Sequence, residues 1–188
     1  MKLNTTHKVL IGGGVLALAV LAFWYLRNRK PKADGVLLLG GLDTRSSDKK
    51  INEQEELLKK GLGDGVKTKS FRYTDPQGLI AEIKQDPNTN VDLFSAGCSN
   101  AEQVATEMKA NGGSLKNIFI VEPYHVGGKA TKSVRAAVEL GVPEKNVLVG
   151  SYKQAGLGIV PNATRTPNCS PKHWCSLSEV GKIILKTK

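Results

Sequence analysis

The sequence is poor in the residues and motifs that bind metals, nucleotides and cofactors. It has only three cysteines and three histidines among 188 residues. They show no spacing of four convergent ligands of the kind that holds structural zinc. The sequence also lacks a glycine-rich phosphate loop, a dinucleotide fingerprint and a paired-carboxylate motif. It therefore predicts neither a metal site nor a cofactor.

Acidic residues are absent from the first 32 positions, which biases the charge of the whole chain. The formal net charge is +10, but six of the 27 Lys and Arg residues lie at or before Lys32, so the remainder has 21 cations against 17 anions, or +4. Many of these cations occur in pairs such as Lys49-Lys50, with no aromatic residues between them. That pattern is typical of solvated helix faces. We expect no nucleic-acid partner, and anionic lipid headgroups are the favoured electrostatic partner.

One uncharged run lies within the N-terminal region that contains no acidic residues. Residues 9–26 form about 18 positions without charge, near the lower limit for a helix that spans a bilayer. Trp24 and Tyr25 lie at its end, where amphipathic rings meet the headgroups. The alternative is a cleavable signal peptide, but the run is longer than a usual signal core and ends in bulky rings and a basic cluster. The run predicts a retained transmembrane helix.

The run also defines the predicted domain organisation. We expect a flank at 1–8, the transmembrane helix at 9–26, a basic linker at 27–34 and one domain at 35–188. The excess of cations after the span favours a single-pass protein whose domain faces the cytoplasm. The span would bind the lipid bilayer, and the small residues Gly13 and Ala17 would allow it to form oligomers.

Strand-like and helix-like segments alternate throughout residues 35–188. The predicted strands are Val36 to Leu39, Lys69 to Tyr73, Val91 to Ala96, Asn117 to Val121 and Asn146 to Val149. This alternation predicts an α/β fold with a mostly parallel sheet of about five or six strands and helices on both faces. Site residues should then lie beyond the carboxyl ends of the strands.

A short motif follows the third predicted strand. The segment VDLFSAGCSNA places Ser99 between Gly97, two residues before it, and Ala101, two residues after it, with a helical stretch directly behind. Small residues at these two positions let the backbone bend sharply, which is the outline of a nucleophile elbow. Ser99 is the predicted nucleophile for acyl groups. Cys98 is not favoured, because Ala96 rather than glycine would lie two residues before it.

The order of features resembles the α/β-hydrolase superfamily, in particular its small lid-less lipases and esterases. The strand ending in Gly40-Gly41-Leu42 is similar to the oxyanion loop of that family, the Ser99 motif to its elbow, and the segment around His173 with the final helix to its histidine loop. The resemblance implies that Ser99 attacks an acyl ester and that His173 transfers the proton. The backbone amides of Leu42 and Asn100 would form the oxyanion hole.

The chain departs from this family at the acid. The segment Ser151 to Lys172, where the family usually has it, contains no Asp or Glu. Glu122, directly after the fourth predicted strand, is the best substitute. It could instead cap the strand end or pair with His125. The departure keeps open an alternative function, a catalytically inactive structural or interaction protein with a hydrolase fold in a cellular or viral membrane.

The remaining cysteines flank the predicted base. Cys169 and Cys175 lie on either side of His173, and in an oxidising compartment a disulfide between them could fix this loop. A cytoplasmic domain would keep both thiols reduced. The two expectations conflict, so the redox state of this pair also reports on the location of the domain.

Overall fold

The computed structural model describes residues 35–45, 47–124, 128–150, 160–166 and 174–186, which form a parallel β-sheet covered by helices. The six strands are β1 (Gly35–Leu39), β2 (Lys67–Phe71), β3 (Asn90–Phe94), β4 (Ile118–Val121), β5 (Val147–Val149) and β6 (Thr164–Arg165). The five α-helices are α1 (Asp48–Leu62), α2 (Pro76–Gln85), α3 (Ala101–Ala110), α4 (Lys129–Leu140) and α5 (Cys175–Lys186). Short 3₁₀ turns cover 42–44, 95–100, 115–117 and 144–146.

Local signals in the sequence set the helix ends. α1 begins after Ser47, whose side chain accepts a hydrogen bond from the Lys50 amide, and ends before Gly63, whose φ is +74°. α2 begins after Asp75, whose carboxylate accepts from the Gly78 amide at 2.9 Å. Pro76 occupies its first turn, where a missing N–H removes no helical hydrogen bond.

The strand order is β2-β1-β3-β4-β5-β6, and every neighbouring pair is parallel. All five residues of β3 are buried, because helices cover both faces of the sheet. The chain leaves β1 toward β2 and leaves β3 toward β4, in opposite directions along the sheet. Such a reversal opens a crevice beyond the carboxyl ends of the two strands.

Two apolar layers hold the fold together. On one face, β-strand residues such as Leu93 and Ile120 pack with Ile83 of α2, Val104 of α3 and Val134 of α4. On the other face, Phe94 and Phe119 pack with Leu58 of α1 and with Leu177 and Val180 of α5. The sheet and the helices on both its faces agree with the α/β architecture expected from the alternating pattern.

The transmembrane part of the prediction requires correction. No helix in the described ranges is long and apolar enough to cross a bilayer. The longest, α1, has 15 residues, of which eight are charged, and at about 1.5 Å per residue it is shorter than a hydrocarbon core of about 30 Å. The predicted span at 9–26, with its flank and linker, lies outside the described residues. The described residues therefore contain no transmembrane helix and do not support the predicted single-pass membrane location.

Candidate active site

A cleft of about 250 Å³ lies at the crevice between the carboxyl ends of β1 and β3. We call it the switch-point cleft. The loop after β1, the end of β3 and the residue after it, α1, the segment after β4 and the residue before α5 all contribute to it. Its lining residues are Gly41, Leu42, Asp43, Gln54, Phe94, Ser95, Tyr124 and Trp174.

The sharp turn after β3 is centred on Ser95. Its φ is +53°, in the left-handed region that non-glycine residues rarely adopt. Two residues later, a Cβ added to Gly97 would lie 2.5 Å from the Leu39 carbonyl oxygen, so only glycine fits there. The Ser95 carbonyl accepts from the Tyr124 amide at 3.3 Å, which ties the turn to the segment after β4. Ser95 is thus the first residue of the turn after β3, whereas the sharp turn predicted from the sequence has Ser99 at its centre.

Ser99 itself lies outside the switch-point cleft. It belongs to the 3₁₀ turn at 95–100, and its hydroxyl donates to the Ala96 carbonyl at 2.7 Å. Ser99 and Asn100 line a separate depression beside Lys129 and Ser133 of α4. The structure thus does not bring Ser99 or Asn100 together with Leu42. Ala101, the predicted end of the elbow, is the buried first residue of α3.

The loop after β1 lies directly beside Ser95. A Cβ added to Gly41 would be 3.0 Å from the Ser95 Cβ. Leu42 begins the 3₁₀ turn at 42–44, and Ala96 is the second residue of the turn that begins at Ser95. The first amides of such turns have no acceptor within the turn. Neither the Leu42 amide, at the cleft, nor the Ala96 amide, next to Ser95, therefore has an acceptor within its own turn.

Side chains hold this loop in place. The Gly41 amide donates to Gln54 Oε1 of α1 at 3.0 Å, and the Thr44 hydroxyl donates to the Gly41 carbonyl at 2.7 Å. The Tyr73 amide in turn donates to Thr44 Oγ1 at 3.2 Å. Gln54 is fully buried, and its Nε2 has no hydrogen-bond partner among the described residues. Gln54 is not predicted as a site residue from the sequence, since nothing in its charged helical segment marks it.

Glu122 is a buried carboxyl group directly after β4. It is 1% exposed and has a φ of +49°. Its carboxyl group accepts from the Gly150 amide, at the end of β5, and from the Ser176 hydroxyl of α5. Burial raises its pKa to about 7, although these two hydrogen bonds act to lower it. Oε2 has no partner among the described residues, so one oxygen remains available to another group.

Three predicted residues lie outside the described ranges: His125, Cys169 and His173. The residue next to His173 in sequence, Trp174, lines the switch-point cleft. Cys175 is disulfide-bonded, whereas Cys98 is a buried free thiol that donates to the Leu93 carbonyl. Among the described residues, no group of three or more His, Cys, Asp and Glu side chains could hold a metal ion.

A second buried carboxyl group, Asp92, lies in the middle of β3. It is fully buried, and neither carboxyl oxygen has a partner among the described residues. Leu38 of β1 and Phe119 of β4 are its neighbours across the sheet. Burial raises the pKa of Asp92 well above its usual range, because desolvation favours the neutral form of the carboxyl group. The only sequence signal was an acidic residue within an otherwise apolar strand.

Comparison with known proteins assigns no family to the chain. No protein-family profile matches it, and no solved structure matches it. One curated relative, the Multifunctional protein CAD of Squalus acanthias, is 34% identical over 79 residues, which cover 38% of this chain and 4% of that protein. The chain thus spans a small part of that relative's length. Since none of these findings names a lipase or esterase, that classification gains no support from relatives.

Proposed function

We propose that the protein is a serine hydrolase that cleaves an acyl ester in the switch-point cleft, with Ser95 as nucleophile in place of Ser99. One observation carries the proposal. A serine with φ of +53° follows the central strand directly, next to the Gly41 loop and with Gly97 two residues behind it. A strained serine at a strand-to-helix turn is how hydrolases of this kind present a nucleophile.

The backbone around Ser95 supports acyl transfer. When the Ser95 hydroxyl attacks an ester carbonyl, negative charge develops on the carbonyl oxygen. Leu42 is the first residue of one turn and Ala96 the second residue of the other, and neither amide has an acceptor within its turn. Two such amides are the usual donors to this oxyanion, one from the residue after the nucleophile and one from the loop after an early strand. The two amides of Leu42 and Ala96 therefore favour Ser95, rather than Ser99, as the nucleophile.

His173 and Glu122 complete the proposed mechanism. His173 takes the Ser95 proton as the acyl–oxygen bond forms, and then gives it to the departing alcohol. Water subsequently attacks the acyl-serine by the same route and releases the acid. Glu122 supports this assignment because its carboxyl group binds the Ser176 hydroxyl, three residues after His173, and keeps Oε2 for a further donor. The Glu122 carboxyl group also binds the Gly150 amide at the end of β5. Glu122 would thus take the place of the acid that is missing after that strand.

A catalytically inactive protein with the same fold is the second candidate. Two observations favour it. Ser95 is only 3% exposed, so a substrate has little access to its side chain. The pKa of Glu122 is raised to about 7 by burial, so that near neutral pH a substantial fraction is protonated and cannot stabilise a histidine cation.

Labelling with a fluorophosphonate probe tests the proposal. The probe reacts with an activated serine, and the labelled residue is identified by mass spectrometry of the digested protein. We expect wild type to be labelled at Ser95, with labelling lost in Ser95→Ala and His173→Ala. Ser99→Ala is the matched control and should retain labelling.

The outcomes separate the alternatives. Labelling that disappears in Ser99→Ala but persists in Ser95→Ala would return the nucleophile to the position predicted from sequence. A folded wild-type protein that is not labelled at all would favour the catalytically inactive candidate. Folding of each variant is checked by circular dichroism and thermal unfolding.

A further inference from the structure

Gln54 lines the switch-point cleft, and its side chain has a group of two N–H donors without a partner in the described part of the chain. Gln54 comes from α1, is fully buried and lines the cleft. Its Oε1 accepts from the Gly41 amide at 3.0 Å. Its Nε2 has no partner among the described residues. Buried donors are nearly always paired, so an unpaired one that lines a cleft points to a missing acceptor.

The orientation of this amide is fixed by its neighbour. A backbone N–H can only donate, so the group that faces the Gly41 amide must be the carbonyl oxygen of Gln54. Exchanging Oε1 and Nε2 would place two donors against each other. The Nε2 group, with two N–H bonds, is therefore the part of Gln54 left for another partner.

We propose that Gln54 Nε2 donates a hydrogen bond to the carbonyl oxygen of the bound acyl group, and to the oxyanion formed from it. This inference rests on the proposed function and extends it, because it adds a side-chain donor to the Leu42 and Ala96 amides. The ligand class it specifies is an acyl compound that places an oxygen acceptor between Ser95 and α1. Through Oε1 the same side chain positions the Gly41 loop.

The variant Gln54→Glu separates the two roles. Its carboxyl group keeps an oxygen for the Gly41 amide but loses the N–H donors. When ionised it places a negative charge beside the developing oxyanion, and when protonated its hydroxyl can donate again. Because removal of one oxyanion donor costs about 100-fold or more in rate, we expect the phosphonylation rate to fall by about that factor at high pH. The rate of Gln54→Glu relative to that of wild type at the same pH should recover as the pH is lowered.

Thr44→Val is the matched control. It removes the hydroxyl that holds the Gly41 carbonyl, so it loosens the same loop without changing a donor to the ligand. Any loss of rate in this variant should be equal at all pH values. A pH profile in Gln54→Glu that parallels Thr44→Val would show that Gln54 only supports the loop, and would overturn the inference.

A spectroscopic measurement on the wild-type protein does not depend on the variant folding. The side-chain amide protons of Gln54 are assigned in ¹⁵N-labelled protein by through-bond correlation. After labelling with the fluorophosphonate probe, the phosphoryl oxygen on Ser95 stands in for the oxyanion. We expect one Gln54 amide proton to shift downfield and to exchange more slowly with water, as a new hydrogen bond requires.

Three results are distinguishable. Wild type labelled at Ser95 with a shifted Gln54 resonance supports the inference. Wild type labelled at Ser95 with an unshifted Gln54 resonance overturns the inference and leaves the proposed function standing. A folded wild-type protein that is not labelled overturns both.

Discussion

Glu122 is a single side chain on which the activity should depend strongly. In Glu122→Gln the side chain keeps an oxygen for the Gly150 amide and the Ser176 hydroxyl but loses its charge. Replacing a triad acid by its amide lowers the rate by about 10⁴-fold in a well-studied protease, and we expect about 10²-fold or more here. The measurement is the rate of phosphonylation of wild type and variant across pH.

The pH dependence follows from the pKa of this group. Because burial raises the pKa of Glu122 to about 7, its charged form builds up as the pH rises through that value. The wild-type rate should therefore increase through pH 7, and the contribution of Glu122 to that increase should be missing from Glu122→Gln. Equal rates for the two proteins at pH 8 would exclude Glu122 as the acid.

A substitution at Gly150 tests whether the position of the Glu122 carboxyl group matters. A Cβ at this position would lie 1.8 Å from Glu122 Oε1, so Gly150→Ala must displace the carboxyl group. We expect a loss of phosphonylation rate similar in direction to Glu122→Gln, measured beside the thermal unfolding of both variants. An unchanged rate in a folded Gly150→Ala protein would show that the position of this carboxyl group does not matter for the reaction.

Glu122 and Ser99 were both predicted from the sequence; the proposed mechanism keeps Glu122 as the acid and places the nucleophile at Ser95 instead. The pattern of small residues favours Ser99, which lies between Gly97 and Ala101, whereas Leu93 lies two residues before Ser95. The apolar run ending at Phe94 favours Ser95, since the turn begins where β3 ends. Contacts such as those of Gln54 with Gly41 and of Glu122 with Gly150 join distant segments and leave no local pattern.

On the face of the sheet that α1 and α5 cover, stability should depend on the packing of these two helices against each other. They cross at Gly61 and Gly181, where backbone meets backbone: a Cβ at Gly61 would lie 2.0 Å from the Ser178 carbonyl oxygen. Gly61→Ala must separate the helices. Overpacking of this kind typically costs about 1–3 kcal/mol, and we expect a loss in that range, measured by urea unfolding.

Lys60→Ala is the matched control for the crossing. Lys60 precedes Gly61 on the same helix and is exposed, so its loss should change the free energy of unfolding by no more than about 0.5 kcal/mol. If Gly61→Ala is as stable as Lys60→Ala, the close crossing does not contribute to stability.

The predictability of the elements follows from their length and apolar content. The apolar strands β1, β3 and β4 were expected within a few residues of their observed bounds. β2, which reads KTKSF, was displaced by two residues because it has few apolar side chains. β6 has only two residues, Thr164 and Arg165, and its pairing with β5 is a tertiary contact without a periodic signal.

For the molecule as a whole, Asp92 should make stability depend on pH. Its pKa in the folded protein is raised well above its usual range, so between about pH 4 and that raised value the folded state holds a proton that the unfolded chain has released. Stability must then decrease as the pH rises. Asn cannot ionise, so Asp92→Asn should gain stability relative to wild type between pH 5 and pH 8.

Urea unfolding at several pH values checks this prediction. Glu122 contributes a decrease of the same sign up to about pH 7, since burial also raises its pKa, but it is present in both proteins and cancels in the comparison. Parallel stability curves for wild type and Asp92→Asn would show that Asp92 does not account for the pH dependence.

The crossing of α1 and α5 has a consequence for how the chain folds as it is made. The ribosome produces α1 early, whereas Cys175, the first residue of α5, follows Leu62, the last of α1, by 113 positions. Until α5 has emerged, Phe94 and Phe119 on this face are covered by α1 alone. A nascent chain stalled before residue 175 should therefore expose apolar sheet surface, the kind of surface that chaperones bind and that drives aggregation.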